Sequence, residues 1–361
     1  MQTNRSSNFE LLRIFAMLMI VAAHFAGHGI RHVFVPELSS AWLSGSFANR
    51  LFTSFLIPGG KIGVGIFFVL TGYFMYTAQY KASHLIKLVL QVYFYSFTIQ
   101  IGGGYSLRRI LQLPTKSLVA QFLSALLPIS SNSWWFVTAY VVLFLFIPLI
   151  NEGFRKLTDK QCGFVLFLLW AVWYVPTVFA FNYAGLQRAL FFYVLGAWLR
   201  RSEFNLNRLS TLFFFLMVWC TFSGLDIASS FLGSNDTKGL VLKTLFDIVE
   251  IAICVPVCTV SLFLFFKNCK FGYSKFINTV APTTFGIYLI HDSGVGRTLI
   301  WDKIFHCLDV QYESVYFPLV ALGTIVAVFI CCSVIEYLRQ VLFERRYMPL
   351  LNTKLSQFIS A

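Results

Sequence analysis

The chain has 361 residues, of which 58% are hydrophobic and 12% are charged, about half the charge of an ordinary soluble domain. That excludes a soluble globular protein and makes a bilayer the solvent. A net charge of +13 would otherwise point to nucleic acid or an acidic ligand, but in a membrane protein the cations are first assigned to the loops that set topology.

A spanning helix needs about 20 mainly apolar residues. On that ruler ten spans are predicted, at residues 9–28, 61–79, 84–102, 134–151, 163–181, 187–200, 209–227, 240–266, 282–300 and 315–338. The expected fold class is an all-α polytopic membrane protein, a single integral-membrane domain over residues 1–361 with no soluble domain. Arg5 followed by the apolar run 11–23 imitates a secretory signal. Glu10 and Arg13 beside that run, and His24 where a small cleavage-site residue belongs, make it a retained first helix instead. The stretch 117–129 is too short to span and is expected at the interface. Cys220, Cys254, Cys258, Cys331 and Cys332 fall inside apolar runs without a CxxC pair, so neither a metal cage nor a disulfide framework is expected.

Positive loops stay cytoplasmic. With both termini inside, the inner loops hold Lys81 and Lys87, then Arg155, Lys156 and Lys160, then Arg200, Arg201 and Arg208, then Lys267, Lys270 and Lys275, and the tail adds Arg339, Arg345, Arg346 and Lys354. The outer connections hold fewer: Arg31, Arg50 and Lys61 in the first, Arg108, Arg109 and Lys116 in the second. Most of the net charge is thereby topology, and no nucleic-acid partner is expected.

An ionisable residue inside a membrane helix is costly and points to function. The first helix, NFELLRIFAMLMIVAAHF, has Glu10, Arg13 and His24. Arg13 and His24 are eleven positions apart, which at about 100° and 1.5 Å per residue places them on one face, about 16 Å apart along the axis. Glu10 sits one turn before Arg13, placed to pair with it. A guanidinium at the inner mouth can hold phosphate or a pantetheine amide while an imidazole farther in acts as general base on a hydroxyl or itself takes part in acyl transfer. The plain alternative is a snorkelling arginine and a hydrogen-bonded core histidine.

Arg13, ten intervening residues and His24 match the Arg-x10-His signature of the membrane acyltransferase-3 family, whose members O-acylate sugars. The resemblance continues in order through GKIGVGIFFVLTGYFMY at 60–76, NSWWFVTAYVVLFLFIPLIN at 132–151 and TFGIYLIHD at 284–292. It implies a ten-helix core, an acyl-CoA donor and a sugar acceptor, with Arg13 and His24 as catalytic residues and Arg13 also on the donor. The chain departs from the family in three places: Thr71 stands for the usual serine, Lys87 for an arginine at the start of the third helix, and Gly65 and Ile66 occupy the stretch where an acidic residue commonly precedes the Phe-Phe pair. Lys87 keeps the charge for donor phosphates but loses the bidentate fork. Without the hydrolase-like domain of some relatives, the acceptor is expected to be handled by membrane loops alone.

Other residues fall into place around this pair. Lys61, beside Gly59, Gly60, Gly63 and Gly65, is expected at the outer rim, facing an acceptor sugar or a developing oxyanion. Trp135 and Tyr140, at the outer start of the fourth span, offer a stacking ring and a hydroxyl donor, whereas Trp134 reads as aromatic belt. His291, with Asp292 next to it and Tyr288 on the same face, is a second buried histidine able to orient substrate or share proton transfer. Arg297 is expected at the outer mouth.

The resulting expectation is a multi-pass O-acyltransferase of the bacterial inner membrane, moving acetyl from acetyl-CoA to a hydroxyl of a capsule, exopolysaccharide or lipopolysaccharide precursor. It needs no metal and no permanently bound cofactor; its partners are acyl-CoA, a glycan or lipid-linked sugar, and membrane lipids. The rival class is a proton-coupled transporter or lipid-linked oligosaccharide flippase. It draws on Lys243, Asp247 and Glu250, which share a helix face where a Lys–Asp pair would leave Glu250 over. No internal repeat of the kind such carriers use is visible. A glycan polymerase is a third possibility, but the longest connections, 29–60 and 103–133, are modest.

Overall fold

Hydrocarbon offers no water to the backbone, so a chain that enters it as separate segments must satisfy its N–H and C=O groups within helices. The computed structural model describes residues 6–33, 41–102, 118–179, 184–232, 237–270, 272–307 and 312–349, and every regular element among them is helical. In chain order the α-helices are α1 (Ser7–His24), α2 (Phe47–Leu56), α3 (Pro58–Met75), α4 (Ala82–Phe97), α5 (Leu118–Leu126), α6 (Trp135–Lys156), α7 (Asp159–Leu168), α8 (Ala184–Arg201), α9 (Arg208–Ser229), α10 (Thr237–Val249), α11 (Val255–Lys267), α12 (Lys275–Val280), α13 (Thr284–His291), α14 (Gly294–Arg297) and α15 (Phe317–Arg339).

Seven stretches among the described residues are long and apolar enough to cross a membrane: Ser7–Ile30, Phe47–Met75, Trp135–Lys156, Asp159–Val178, Arg208–Ser229, Thr237–Lys267 and Phe317–Pro349. Seven of the ten expected spans coincide with these stretches. The other three positions are helical but fall short. Regular α4 is only 16 residues and carries His84, Lys87 and Gln91. The 18 residues of α8 include Arg188, Arg200 and Arg201. The span expected at 282–300 is broken at Asp292 and Ser293, leaving α13 with eight residues. The segment expected at the interface contains α5, nine residues long, with Val119, Phe122 and Leu123 exposed. Arg108, Arg109, Lys116 and Lys354 lie outside the described residues.

Helix α3 sits at the centre, packed against α1, α8 and α11. Its small residues set the distances. A side chain at Gly63 would press into the Ala16 carbonyl of α1, and one at Gly72 into the Tyr193 carbonyl of α8. Gly196 of α8 meets the Val69 carbonyl of α3 in the same way, so the two backbones touch, as small residues allow in lipid. On the other side a fully buried Glu336 of α15 ties in α4. It accepts from Gln91 Nε2 (3.1 Å), Tyr95 Oη (2.7 Å), Arg339 and Gln340.

Three departures from regular helix fall near the centre of the bundle. Directly after His24 the chain winds as a π-helix, Phe25–Ile30. A second π segment, Glu250–Cys254, joins α10 to α11. Between α13 and α14 the chain leaves the helix at Asp292, and Ser293 Oγ caps the next turn by accepting from Gly296 N (2.9 Å). Such irregular backbone at membrane depth is tolerated where protein surrounds it, and it often marks a functional site.

The contact between α3 and α8 gives a prediction of opposite signs at two glycines. Gly72→Ala should lower stability by about 1–3 kcal/mol through overpacking. Gly153→Ala, where no atom lies within 4 Å, should leave stability unchanged or raise it by up to about 1 kcal/mol. Thermal unfolding in detergent checks both.

Candidate active site

His24 ends α1, and the eleven-residue spacing does what the helical geometry requires: Arg13 and His24 both line one cavity of about 190 Å³. Met17 and Ile20 of α1 lie between them, and Phe67 and Leu70 of α3, Leu88 of α4 and Phe285 of α13 make most of the remaining wall apolar. A second cavity, of about 210 Å³, meets His24 from the other side. Lys61, Trp135, Tyr174 and Arg188 line it, and Val64 and Trp135 are shared by both. Each cavity is smaller than a typical drug-sized site of roughly 300–1,000 Å³. The arrangement suits two small parts of two substrates meeting at one imidazole.

The hydrogen bonds of that imidazole are defined from behind. His291 Nδ1 lies 2.6 Å from the Ile287 carbonyl oxygen, which can only accept, so this nitrogen carries the proton. In the neutral ring His291 Nε2 is therefore an acceptor, and His24 Nδ1, 2.9 Å away, donates to it. This leaves Nε2 of His24 with a lone pair. Asp292 lies beside the pair: its Oδ1 accepts from Arg297 Nε at 2.8 Å and stands 3.5 Å from His24 Nδ1 and 3.4 Å from His28 Nε2. The rings of His24 and His28 are 4.8 Å apart. Ligand atoms of His24, His28 and Asp292 lie within 4.8 Å of one another, but a cation among them would compete with the Arg297 guanidinium for Asp292. The set is better suited to hydrogen bonding than to metal.

The positions of the expected site residues divide by cavity. Glu10, buried, pairs with Arg13. Lys61 lines the second cavity and binds Glu250 at 3.2 Å. Tyr140 and Tyr288 line the Arg13 cavity, so Tyr140 stands away from the Lys61 wall. Trp135 reaches both. His291 is wholly buried behind His24, in contact with that residue rather than with either cavity wall. Lys87 is drawn to Glu344 (2.5 Å), while its neighbour Leu88 faces the cavity. Arg297, expected at an outer mouth, folds back onto Asp292 across the helix break. The expected Lys243–Asp247 pair is not among the ion pairs of the described residues, and Glu250 is matched by Lys61 instead.

Sequence reasoning missed His28, Tyr174, Arg188 and the roles of Arg297 and Glu250 as counter-ions. His28 was accessible, four positions after His24 on the same face. So was Arg188, an arginine inside a predicted span. Nothing local signals the other three, because each depends on a neighbour distant in sequence or on the break at Asp292.

A family model described as an acyltransferase domain matches residues 6–336. The chain belongs to the membrane acyltransferase-3 family. It is an acyltransferase, and with its apolar helices a multi-pass membrane protein. No curated protein and no solved structure matches the chain. All four sequence blocks that carried the resemblance lie within the matched region.

The buried order of the two histidines can be read chemically. With side-chain exposures of 22% for His24 and 0% for His291, limited diethylpyrocarbonate treatment of this acyltransferase in detergent should carbethoxylate His24 well before His291, seen by peptide mass spectrometry. Modification of His291 first would contradict the arrangement.

Proposed function

We propose that the protein is an O-acetyltransferase of the bacterial inner membrane, moving acetyl from acetyl-CoA to a hydroxyl of a cell-surface glycan or its lipid-linked precursor. One observation carries the reading: His24 is the ionisable residue shared by an apolar cavity that begins at Arg13 and a second cavity that holds Lys61 and Arg188. In this reading Arg13 binds the donor's phosphates or pantetheine amides at the cytoplasmic side. The acyl arm lies along Met17 and Ile20, a path close to the about 16 Å between Arg13 and His24. The acceptor sugar enters through the Lys61 cavity, which lets a cytoplasmic donor serve an acceptor on the far side.

Nε2 of His24 removes the proton of the acceptor hydroxyl as its oxygen attacks the thioester carbonyl. The tetrahedral intermediate collapses, the carbon–sulfur bond breaks, and the thiolate of CoA leaves with the proton from His24. During this step the Nδ1–H···Nε2 bond to His291 fixes the ring, and the carboxylate of Asp292 stabilises the imidazolium, as an orienting carboxylate does in other acyl transfers. Tyr140, Tyr288 and Trp135 are the cavity-wall donors for the developing oxyanion. Lys61 holds the acceptor from its side. Lys87, engaged by Glu344, contributes to donor binding only as a nearby positive charge. For the transporter reading Glu250 would have to carry a proton unaccompanied, and its pairing with Lys61 favours the enzyme.

The test is label transfer from radioactive acetyl-CoA to a crude surface-polysaccharide extract by purified protein. His24→Ala should lower kcat by about 10²–10⁴-fold, and Arg13→Ala should raise the KM for acetyl-CoA by about tenfold or more. Equal transfer by wild type and both variants would remove these residues from the mechanism. Absence of transfer from any short acyl-CoA would remove the donor.

A further inference from the structure

Charge on the cavity walls is balanced at every cation but one. Arg13 has Glu10, and Lys61 has Glu250 at 3.2 Å. Arg188, half-buried on the second turn of α8, has no hydrogen bond and no carboxylate among the described residues. The titratable neighbour that interacts with it is Tyr174, a phenol. A guanidinium held away from bulk water without a counter-ion is costly unless the missing anion arrives with a ligand, and its planar fork is matched to carboxylate and phosphate oxygens. Its setting is also rigid. Helix α8 is locked to α3 at Gly196 and Gly72, so the guanidinium does not have to be collected from a mobile loop when substrate binds.

The rest of the same cavity sets aromatic and aliphatic walls beside Lys61. Trp135 lines it with an aromatic ring, with the edge of the buried Tyr174 and Gly60 beside it. His24 closes the far wall. From this juxtaposition we infer that the Lys61 cavity is an acceptor subsite for an anionic glycan, a sugar residue bearing a carboxylate or a phosphate ester within one residue of the acylated hydroxyl, and that Arg188 is the residue that selects the anion. Lys61, already neutralised by Glu250, orients the sugar without supplying net charge. Resting on the O-acetyl transfer proposed above, this selectivity makes a separate demand on the acceptor, which the donor side of the reaction does not share.

The experiment uses full-length protein in detergent with acetyl-CoA and three acceptors: an oligosaccharide containing glucuronic acid, the same oligosaccharide after carboxyl reduction to the neutral hexose, and a glycosyl phosphate. Wild type should use the uronate or the phosphate acceptor with a kcat/KM about tenfold to a hundredfold above the reduced one; which of the two is preferred identifies the anion. Arg188→Gln should abolish the preference, mainly through the KM of the anionic acceptor. Arg188→Lys, which keeps charge and loses the fork, should restore part of it, and the wild-type comparison stands even if the glutamine variant does not fold. Equal use of the anionic and reduced acceptors by wild type overturns the subsite while leaving acetyl transfer intact. A raised KM for acetyl-CoA in Arg188→Gln with acceptor preference unchanged assigns the guanidinium to the donor and overturns it too. No transfer to any acceptor, together with no binding of acetyl-CoA, defeats the O-acetyltransferase reading and the subsite with it.

Discussion

The short chain of hydrogen bonds from His24 through His291 to the Ile287 carbonyl is the constraint around which the site is organised. It fixes which nitrogen of each ring carries the proton, because the last acceptor is a backbone oxygen with no proton to give. That in turn leaves Nε2 of His24 as the basic nitrogen. The bond needs α1 and α13 in contact, and because α13 ends at His291, Asp292 drops out of the helix with its carboxylate beside His24, His28 and Arg297. The break between α13 and α14 and the π-helix after His24 therefore belong to the arrangement around His24, placed where surrounding protein can satisfy an irregular backbone.

The same economy governs the other charges. In lipid an ion without a partner is expensive, and each acidic residue deep in the bundle has been matched: Glu10 with Arg13, Asp226 with Arg31 (2.5 Å), Glu250 with Lys61, and Glu336 with Arg339 (2.7 Å). Glu10 with Arg13 and Glu336 with Arg339 neutralise one another within a single helix, whereas Arg31 with Asp226 and Lys61 with Glu250 join elements far apart in the chain and so hold helices in register as well. Asp226 on α9, for example, is reached from the π segment that follows His24, with Ser54 of α2 completing the contact at 2.8 Å from Arg31. Against that background Arg188, lining the Lys61 cavity with no carboxylate partner among the described residues, has a meaning it would not have on a soluble surface.

Close helix packing connects the two themes. Glycines on α3 let α1 and α8 approach to backbone contact, which brings His24 and Arg188 to the walls of one cavity from either side of the same helix. Bulkier residues at those positions would separate the walls and lose the geometry on which a shared histidine depends.

From the sequence alone, the solvent, the all-helical class, the family and the central pair were legible. Hydrophobic runs, helical periodicity and the Arg-x10-His spacing are local quantities that do not depend on what packs where. That is why Arg13 and His24 emerged on one face and Glu10 was placed beside Arg13. Helix continuity was less legible: the run at 282–300 reads as one span in the sequence, but the structure breaks it at Asp292 and Ser293. Partner assignments failed for the same reason. Lys61 with Glu250, Lys87 with Glu344 and Arg297 folded back on Asp292 join groups through helix crossings or through a chain break, neither of which has a period in the sequence. What only the tertiary structure decided was the tautomer of His24, its place between two cavities, and which cation was left without an anion, because each depends on the distances between helices and not on the order of residues along one.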